Sequence, residues 1–170
     1  MKDSYCRIFE VWRLLVAALM IASVILGIAA APAYAAGNQR FPFSAFYSGT
    51  VSFRSDGVWL LNGRGIATLM GRSTNQGYLV FTTVPVDCAG GVPSDNHETL
   101  TAANGDSLSI VSHDVACPVG QNLYQGSGYW EVLGGTGRFT GAMGGGSFVG
   151  YADLNQDTVK FHWFGSISAP

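Results

Sequence analysis

One glycine-rich run constrains the fold of this 170-residue chain more than any other stretch. It covers residues 126–150 and reads GSGYWEVLGGTGRFTGAMGGGSFVG. Glycine adopts positive φ angles without steric cost, so its clusters mark tight corners and interrupt helices. The bulky residues 129–132 and 147–154 on either side have the β propensity of strands. The run therefore predicts two strands joined by two corners, with Phe139 and Ala142 plugging the end of a core.

A phosphate-binding interpretation of the same run fails on its residues. A Walker loop requires lysine and then serine or threonine after its last glycine, whereas Ala142 follows Gly141 here. The dinucleotide fingerprint places its third glycine where this chain has Thr140. No helix-forming segment follows that would offer its N-terminus to a phosphate. Turn chemistry is the preferred interpretation.

The rest of the chain after Phe41 also predicts β structure. Short runs rich in β-branched and aromatic residues stop at glycine, proline or asparagine clusters, which is typical of an all-β barrel or sandwich. The predicted strands cover residues 44–53, 58–61, 64–71, 77–86, 97–102, 107–115, 128–133, 147–154 and 158–168. Turn signals lie at residues 56–57, 62–63, 75–77, 104–105 and 155–157. The irregular segment 88–96 is predicted to be a long loop at one mouth of the barrel.

A resemblance to a known family rests on the glycine-rich corner. Residues 134–144, GGTGRFTGAMG, resemble the GGTGRFxGAxG segment of the allene oxide cyclase-like and dirigent-like β-barrels, above all their small secreted bacterial members. Residues 159–170, with FGSI at 164–167, are similar to the last strand of those barrels. The resemblance implies an all-β, single closed antiparallel barrel of about eight strands, of the calycin or allene oxide cyclase type, after an N-terminal signal helix.

The same resemblance assigns the motif to the turn scaffolding of the barrel rather than to catalysis. The motif residues are Gly134, Gly135, Gly137, Arg138, Phe139, Gly141 and Gly144. The active-site segments of the plant enzymes and the pocket acids of the dirigent proteins have no counterpart that aligns with this sequence. The resemblance therefore implies a fold and leaves the activity open.

The N-terminus predicts export. The basic residues that precede the apolar stretch are Lys2, Arg7 and Arg13. Residues 14–30 are apolar, and a small-x-small site ending at Ala35 predicts cleavage there. The predicted organisation is a signal peptide at 1–35 and a barrel domain at 36–170, secreted or periplasmic, with membrane contact only during export. An uncleaved anchor is the alternative, because the apolar run approaches the length of a membrane helix.

Charge and cysteine usage limit the partners and the redox chemistry of the mature chain. Cleavage leaves six basic and nine acidic residues, a net charge of −3, and the cations are scattered singly along the sequence. We therefore expect no nucleic-acid partner. Cys88 and Cys117 are the two remaining cysteines and are expected to pair, which would stabilise the fold by about 3.5 kcal/mol. A metal or redox site is the alternative, but the chain has no C-x-x-C.

Most catalytic signatures are absent from the sequence. Residues 145–149 lack the last glycine of a G-x-S-x-G elbow, and His97, His113 and His162 show no paired metal-ligand spacing. Residues 153–157 begin like a calcium loop, but Thr158 stands where that loop requires glycine. We expect neither a metal ion nor a cofactor.

General acid–base chemistry is the one catalytic interpretation that the residues support. Alternation on the last strand places Val159, Phe161, Trp163 and Ile167 on one face and Lys160, His162, Phe164 and Ser166 on the other. If His162 pointed into the lumen, it would lie near Glu131 or Asp114 and could shuttle a proton. The preferred interpretation is that His162 faces water. Glu98 and Arg72 are further candidates for the lumen because they lie in or beside predicted strands.

Three functions remain open from the sequence. The preferred one is a binding or structural module without catalysis. The alternative is a cyclase, isomerase or dirigent-like protein that acts on a small hydrophobic molecule in the barrel cavity. A homo-oligomer packed through an apolar outer face is compatible with either. An open lumen with two or more convergent ionisable side chains, His162 among them, would favour an enzyme or carrier, whereas a lumen packed with Phe, Trp and Val would exclude catalysis there.

Overall fold

The computed structural model describes residues 39–168, which form a closed barrel of eight antiparallel strands. The strands are β1 (Arg40–Phe53), β2 (Trp59–Ala67), β3 (Gly71–Phe81), β4 (Val92–Ala102), β5 (Ser107–Gly120), β6 (Leu123–Gly135), β7 (Met143–Asp153) and β8 (Thr158–Ser168). Each strand pairs with the next in the chain, and β8 pairs with β1 to close the barrel. One short 3₁₀ helix, Gly137–Phe139, lies between β6 and β7. The prediction of a closed all-β barrel is confirmed.

The predictions for the N-terminus lie outside the described residues. They are the signal peptide at 1–35, its helix and the cleavage site after Ala35. Among the residues that the structure describes, no helix is long and apolar enough to cross a membrane.

Two predicted turns are wrong, and their glycines explain why. Residues 62–63 and 75–77 lie inside β2 and β3, so the barrel has one strand fewer than the nine predicted. A Cβ atom at Gly77 would lie 2.2 Å from the His97 carbonyl oxygen, so glycine in β3 permits close approach of β4, and Gly63 pairs with Gly49 inside the β1–β2 ladder. The actual β2–β3 turn contains Leu69 at φ 67°, a conformation that a leucine side chain does not signal.

The other predicted turns agree with the structure. Residues 56–57, 104–105 and 155–157 all lie in turns between strands. The predicted loop 88–96 is shorter at its end, because β4 begins at Val92. The connection between β3 and β4 therefore covers residues 82–91.

One half of the barrel is packed solid. Alternation on β8 buries Val159, Trp163 and Ile167 while Lys160 and Phe164 stay exposed. The residues that fill this half include Phe43, Leu100, Leu108, Ile110, Trp130, Phe139 and Ile167. Phe139 and Ala142 belong to this cluster, so the prediction that they plug one end of the core is confirmed.

The corner motif, residues 134–144, stabilises the end of the barrel that Phe139 and Ala142 close. Gly137 adopts φ 58° and lets the chain turn into the 3₁₀ helix. Arg138 Nε donates to Asp106 Oδ2 at 3.0 Å, which joins the corner to the turn between β4 and β5. The Arg138 guanidinium also lies 5.5 Å from the centre of the Phe139 ring. The motif thus holds the plug in place, as expected for turn scaffolding.

A disulfide holds the opposite end. Cys88 and Cys117 are bonded, which confirms the predicted pair, and their Cα atoms are 6.0 Å apart. The bond ties the 82–91 connection to the end of β5. A disulfide-bonded barrel is compatible with an extracellular location.

Candidate functional site

The disulfide end of the barrel contains an open cavity of about 230 Å³. Its walls are formed by apolar and aromatic side chains, among them Trp59, Leu79, Phe81, Tyr124, Phe148 and Phe161. Besides the tyrosines Tyr124 and Tyr151, its polar lining residues are Ser94 and Asn96 on β4 and Asp114 on β5. The lumen is therefore plugged in one half and open in the other, and the open half has the apolar walls and few polar groups typical of a ligand site.

The strand register brings the side chains of Ser94, Asn96 and Asp114 together. Ser94 and Asn96 are two residues apart and point inward together, and Asp114 lies opposite Ser94 in the β4–β5 pairing. Asp114 Oδ1 accepts hydrogen bonds from Ser94 Oγ and, at 3.2 Å, from Asn96 Nδ2. A Cβ atom at Gly126 would lie 2.3 Å from Asp114 Oδ2. Glycine at this position of β6 therefore makes room for the carboxylate.

A second carboxyl group lies deeper, two residues further along β4. Glu98 is fully buried, and its Oε1 accepts a hydrogen bond from Asn75 Nδ2 at 3.1 Å. Burial raises the pKa of Glu98 to about 8 despite the Asn75 hydrogen bond, and the nearby charge of Asp114 adds to the increase. At neutral pH, Glu98 is therefore mostly protonated.

The pKa of the Asp114 carboxyl group is also raised, but by less than that of Glu98. Burial raises its pKa to about 6, opposed by the hydrogen bonds from Ser94 and Asn96. Asp114 is thus mostly ionised at pH 7, when Glu98 is mostly protonated. Two carboxyl groups with separated pKa values in one lumen can divide the roles of base and acid.

The lumen contains more buried acceptors than donors. Among the described residues, Asn75 Oδ1, Asn96 Oδ1 and Glu98 Oε2 are buried and accept no hydrogen bond from the protein. A proton on Glu98 supplies one donor and agrees with its raised pKa. Asn96 lines the cavity, but its Oδ1 atom is buried behind the wall, so the acceptor that faces the cavity is the Asp114 carboxylate.

The remaining polar groups of the lumen are paired. The Tyr47 hydroxyl bonds to Ser73 Oγ, and Trp163 Nε1 donates to Ser112 Oγ at 2.8 Å. Burial raises the pKa of Tyr47, so it stays protonated across the physiological range. These pairs fix the side chains between the cavity and the plug.

The structure separates the five acid–base candidates from the sequence. Glu98 and Asp114 point into the lumen, whereas Arg72, Glu131 and His162 lie on the outer face. The alternative in which His162 points inward is wrong, because the apolar residues of β8 take the inward positions.

The outer histidines have partners other than those proposed from the sequence. His162 stacks on Phe46, with ring centres 3.8 Å apart. The histidine nearest to Glu131 is His113, whose Nε2 lies 3.9 Å from Glu131 Oε1. His113 Nδ1 also lies 2.7 Å from Asp95 Oδ1, so the histidine–carboxylate group forms outside the barrel.

Sequence reasoning missed Ser94, Asn96, Asn75 and Gly126. Ser94 and Asn96 fall in the segment 88–96 that the sequence predicts as a loop, and the inward face of β4 mixes these polar residues with Leu100 and Ala102. Gly126 lay within the run interpreted as strand and corner. Only the pairing of β5 with β6 shows that its missing side chain makes room for Asp114.

Comparison with known proteins found no match for this chain. No protein-family model matches the chain, and no curated protein matches its sequence. Between residues 39 and 168, no group of three or more His, Cys, Asp or Glu side chains is placed to hold a metal ion. The function is therefore argued from the cavity itself.

Proposed function

We propose that this protein is an exported β-barrel that binds a small, mostly apolar molecule in the open half of its lumen. The observation that carries the proposal is the apolar cavity lined at its polar side by Ser94, Asn96 and Asp114. The proposal includes membership of the allene oxide cyclase-like and dirigent-like barrels, supported by the GGTGRF corner at residues 134–139. Export is supported by the N-terminal pattern and by the disulfide.

The polar side of the cavity defines the ligand's polar end. The ionised Asp114 carboxylate is an acceptor that lines the cavity, so the ligand must bring a donor such as a hydroxyl or an amine. The aromatic walls, including Trp59 and Phe161, favour a flat or branched apolar body. One donor on an apolar molecule is therefore the chemistry that fits.

Binding without turnover is preferred because the cavity lacks a paired nucleophile and base among the described residues. Ser94 Oγ donates to Asp114, but no histidine lines the cavity. The hydrogen bonds of Asp114 hold its carboxylate in place for recognition.

A second candidate function is a cyclase, isomerase or dirigent-like activity on the same kind of molecule. The observation that favours it is the pair of lumen carboxyl groups, with pKa values of about 6 for Asp114 and about 8 for Glu98. Asp114 lines the cavity and would take a proton from one atom of a bound molecule and return it to another, which leaves the carboxylate unchanged overall. Glu98 does not line the cavity, and because it stays protonated it adds no negative charge beside Asp114. Recovery of a bound candidate molecule as an isomer would support this function over simple binding.

The test of binding uses N-phenyl-1-naphthylamine, an apolar fluorescent molecule with a single N–H donor. We expect its emission to rise on binding, with energy transfer from Trp59 in the cavity wall. Ala116→Phe places a large side chain in the cavity and should weaken binding at least about tenfold, which is roughly 1.4 kcal/mol.

Ala103→Phe is the matched control, because Ala103 is exposed in the turn at the plugged end. This variant should bind the probe as tightly as the unmodified protein. Equal binding by Ala116→Phe and Ala103→Phe would show that the probe occupies another surface and would contradict the proposal.

A further inference from the structure

Charge is segregated around the barrel wall. The contiguous strands β8, β1, β2 and β3 contain no Asp or Glu. They carry Arg40, Arg64, Arg72 and Lys160. The strands β4, β5 and β6 contain no Lys or Arg and carry Asp95, Glu98, Asp114 and Glu131. Cations that are scattered singly in sequence thus meet on one side of the fold.

Strand register aligns the cations on this side. Lys160 on β8 and Arg64 on β2 both pair with Ser48 of β1, so all three lie in one row on the outer face. Two strand spacings separate Lys160 from Arg64, about 10 Å. Arg72 on β3 pairs with Ile66, in the row next to that of Arg64.

Aromatic side chains lie among these cations. The row beside Lys160 and Arg64 contains His162, Phe46 and Ile66. Phe46 is 57% exposed although it stacks on His162, and the His162 and Phe164 ring centres are 5.0 Å apart. The exposed side chains of Phe46 and Ile66 are paired neighbours in the strand register, so they form one apolar patch beside the cations.

These groups share one open groove, which we call the cationic groove. Its lining includes Phe46, Arg64, Ile66, Tyr151, Lys160 and His162. Its volume is about 970 Å³, and it runs across β7, β8, β1 and β2 on the outside of the barrel. It opens on the outside of the barrel and shares Tyr151 and Phe161 with the lining of the lumen cavity.

The cations of the groove are free to bind an external anion. Arg54 and Arg138 form ion pairs with Asp56 and Asp106. Within residues 39–168, no carboxylate lies within 4.0 Å of the charged nitrogens of Arg64 or Lys160. Both side chains are exposed, so an anionic group can reach them.

We propose that the cationic groove binds a linear acidic polysaccharide. Carboxylates along such a chain complement Lys160 and Arg64, and the apolar faces of its sugar rings pack on exposed rings such as Phe46. Nucleic acid fits less well, because affinity for its dense phosphates grows with the number of cationic contacts, and the described lining of the groove supplies two, from Arg64 and Lys160. A bilayer fits less well, because the apolar side chains line a groove rather than an amphipathic helix.

The test measures binding of the purified protein to polygalacturonate, with uncharged dextran as the comparison polymer. We expect binding to polygalacturonate only, weakening as salt is added. Arg64→Gln and Lys160→Gln should each weaken binding about threefold, and the double variant about tenfold. Phe46→Ser should weaken it about fivefold through lost ring packing.

Arg54→Gln is the matched control, because it removes one exposed positive charge away from the groove. Binding by this variant should equal that of the unmodified protein, and unchanged melting temperatures should show that all variants are folded. Equal losses in Arg54→Gln and Arg64→Gln would overturn the proposal in favour of net charge alone. Failure to bind polygalacturonate would also overturn it, whether or not single-stranded DNA or phosphatidylglycerol vesicles bind instead.

Discussion

At the scale of single residues, position in the strand decides what a glutamate does in this barrel. Glu98 and Glu131 both lie mid-strand, but Glu98 points inward and is 3% exposed, whereas Glu131 points outward. Sequence alone named both as acid–base candidates and could not separate them. Glu98 shares its face of β4 with Leu100 and Ala102 but also with Ser94 and Asn96, so the pattern does not show that Glu98 is buried, and its pKa depends on burial by other strands.

The raised pKa of Glu98 predicts a pH dependence of stability. Its pKa is about 8 when folded against 4.5 as the ordinary value, so the folded state binds more protons between those pH values. The free energy of unfolding should therefore fall as pH rises from about 4.5 to 8, by roughly 4 kcal/mol over the whole window. Asp114 adds a smaller loss in the same direction between 3.8 and about 6.

Urea unfolding of Glu98→Gln at pH 5, 6, 7 and 8 checks this prediction. The variant keeps a neutral side chain at every pH, so its stability should be nearly constant above pH 6. Glu131→Gln changes an exposed carboxylate and should keep the slope of the unmodified protein. A slope in Glu98→Gln as steep as that of the unmodified protein would mean that Glu98 is not the titrating group.

At the scale of elements, the corner at residues 134–144 could be predicted from sequence, whereas turns inside the sheet could not. Glycine clusters marked the corner correctly because several of its glycines have positive φ angles. The same residue type misled at Gly63, which pairs with Gly49 in the middle of a strand pair. A glycine required for close approach of two backbones looks identical in sequence to one required for a turn.

Two alanine substitutions in the corner should separate backbone strain from steric conflict. Gly141 has φ 73° and open space around it, so Gly141→Ala should cost roughly 1–2 kcal/mol of stability from strain alone. Gly137 has φ 58°, and an added Cβ would lie 1.8 Å from Asp106 Oδ1. Gly137→Ala should cost roughly 3–4 kcal/mol, because it also displaces the Asp106 partner of Arg138.

Urea denaturation of both variants measures these costs, and an Asp106→Ala background tests their origin. Without the Asp106 carboxylate, Gly137→Ala should cost no more than Gly141→Ala does. If its cost remained larger in that background, the conflict with Asp106 would not be the cause. Asp106 is a sound target because hydrogen bonds from Asn104 and Arg138 hold its pKa below the ordinary value and keep it charged.

At the scale of the whole molecule, the barrel is two halves with different packing. The plugged half contains the large buried cluster around Trp130 and Phe139, and the open half contains a small cluster of Val51, Leu61 and Val159 beside the cavity. Sequence predicted the closed barrel but not which half is open. Both halves contain inward apolar and aromatic residues, so hydropathy does not distinguish them, whereas the 3₁₀ corner covers one end only.

This asymmetry predicts that amide hydrogen exchange is faster in the open half. Local opening of the open half breaks fewer buried contacts, so the free energy of that opening should be lower than in the plugged half. Peptides covering residues 98–110, which end in the plugged cluster, should exchange more slowly than peptides covering residues 53–61. A bound apolar probe should slow exchange at residues 53–61, because Trp59 and Leu61 line the cavity, and should leave residues 98–110 unchanged. Uniform exchange across both peptides would show that the barrel opens as one unit, and the separate packing of its halves would then have no effect on its dynamics.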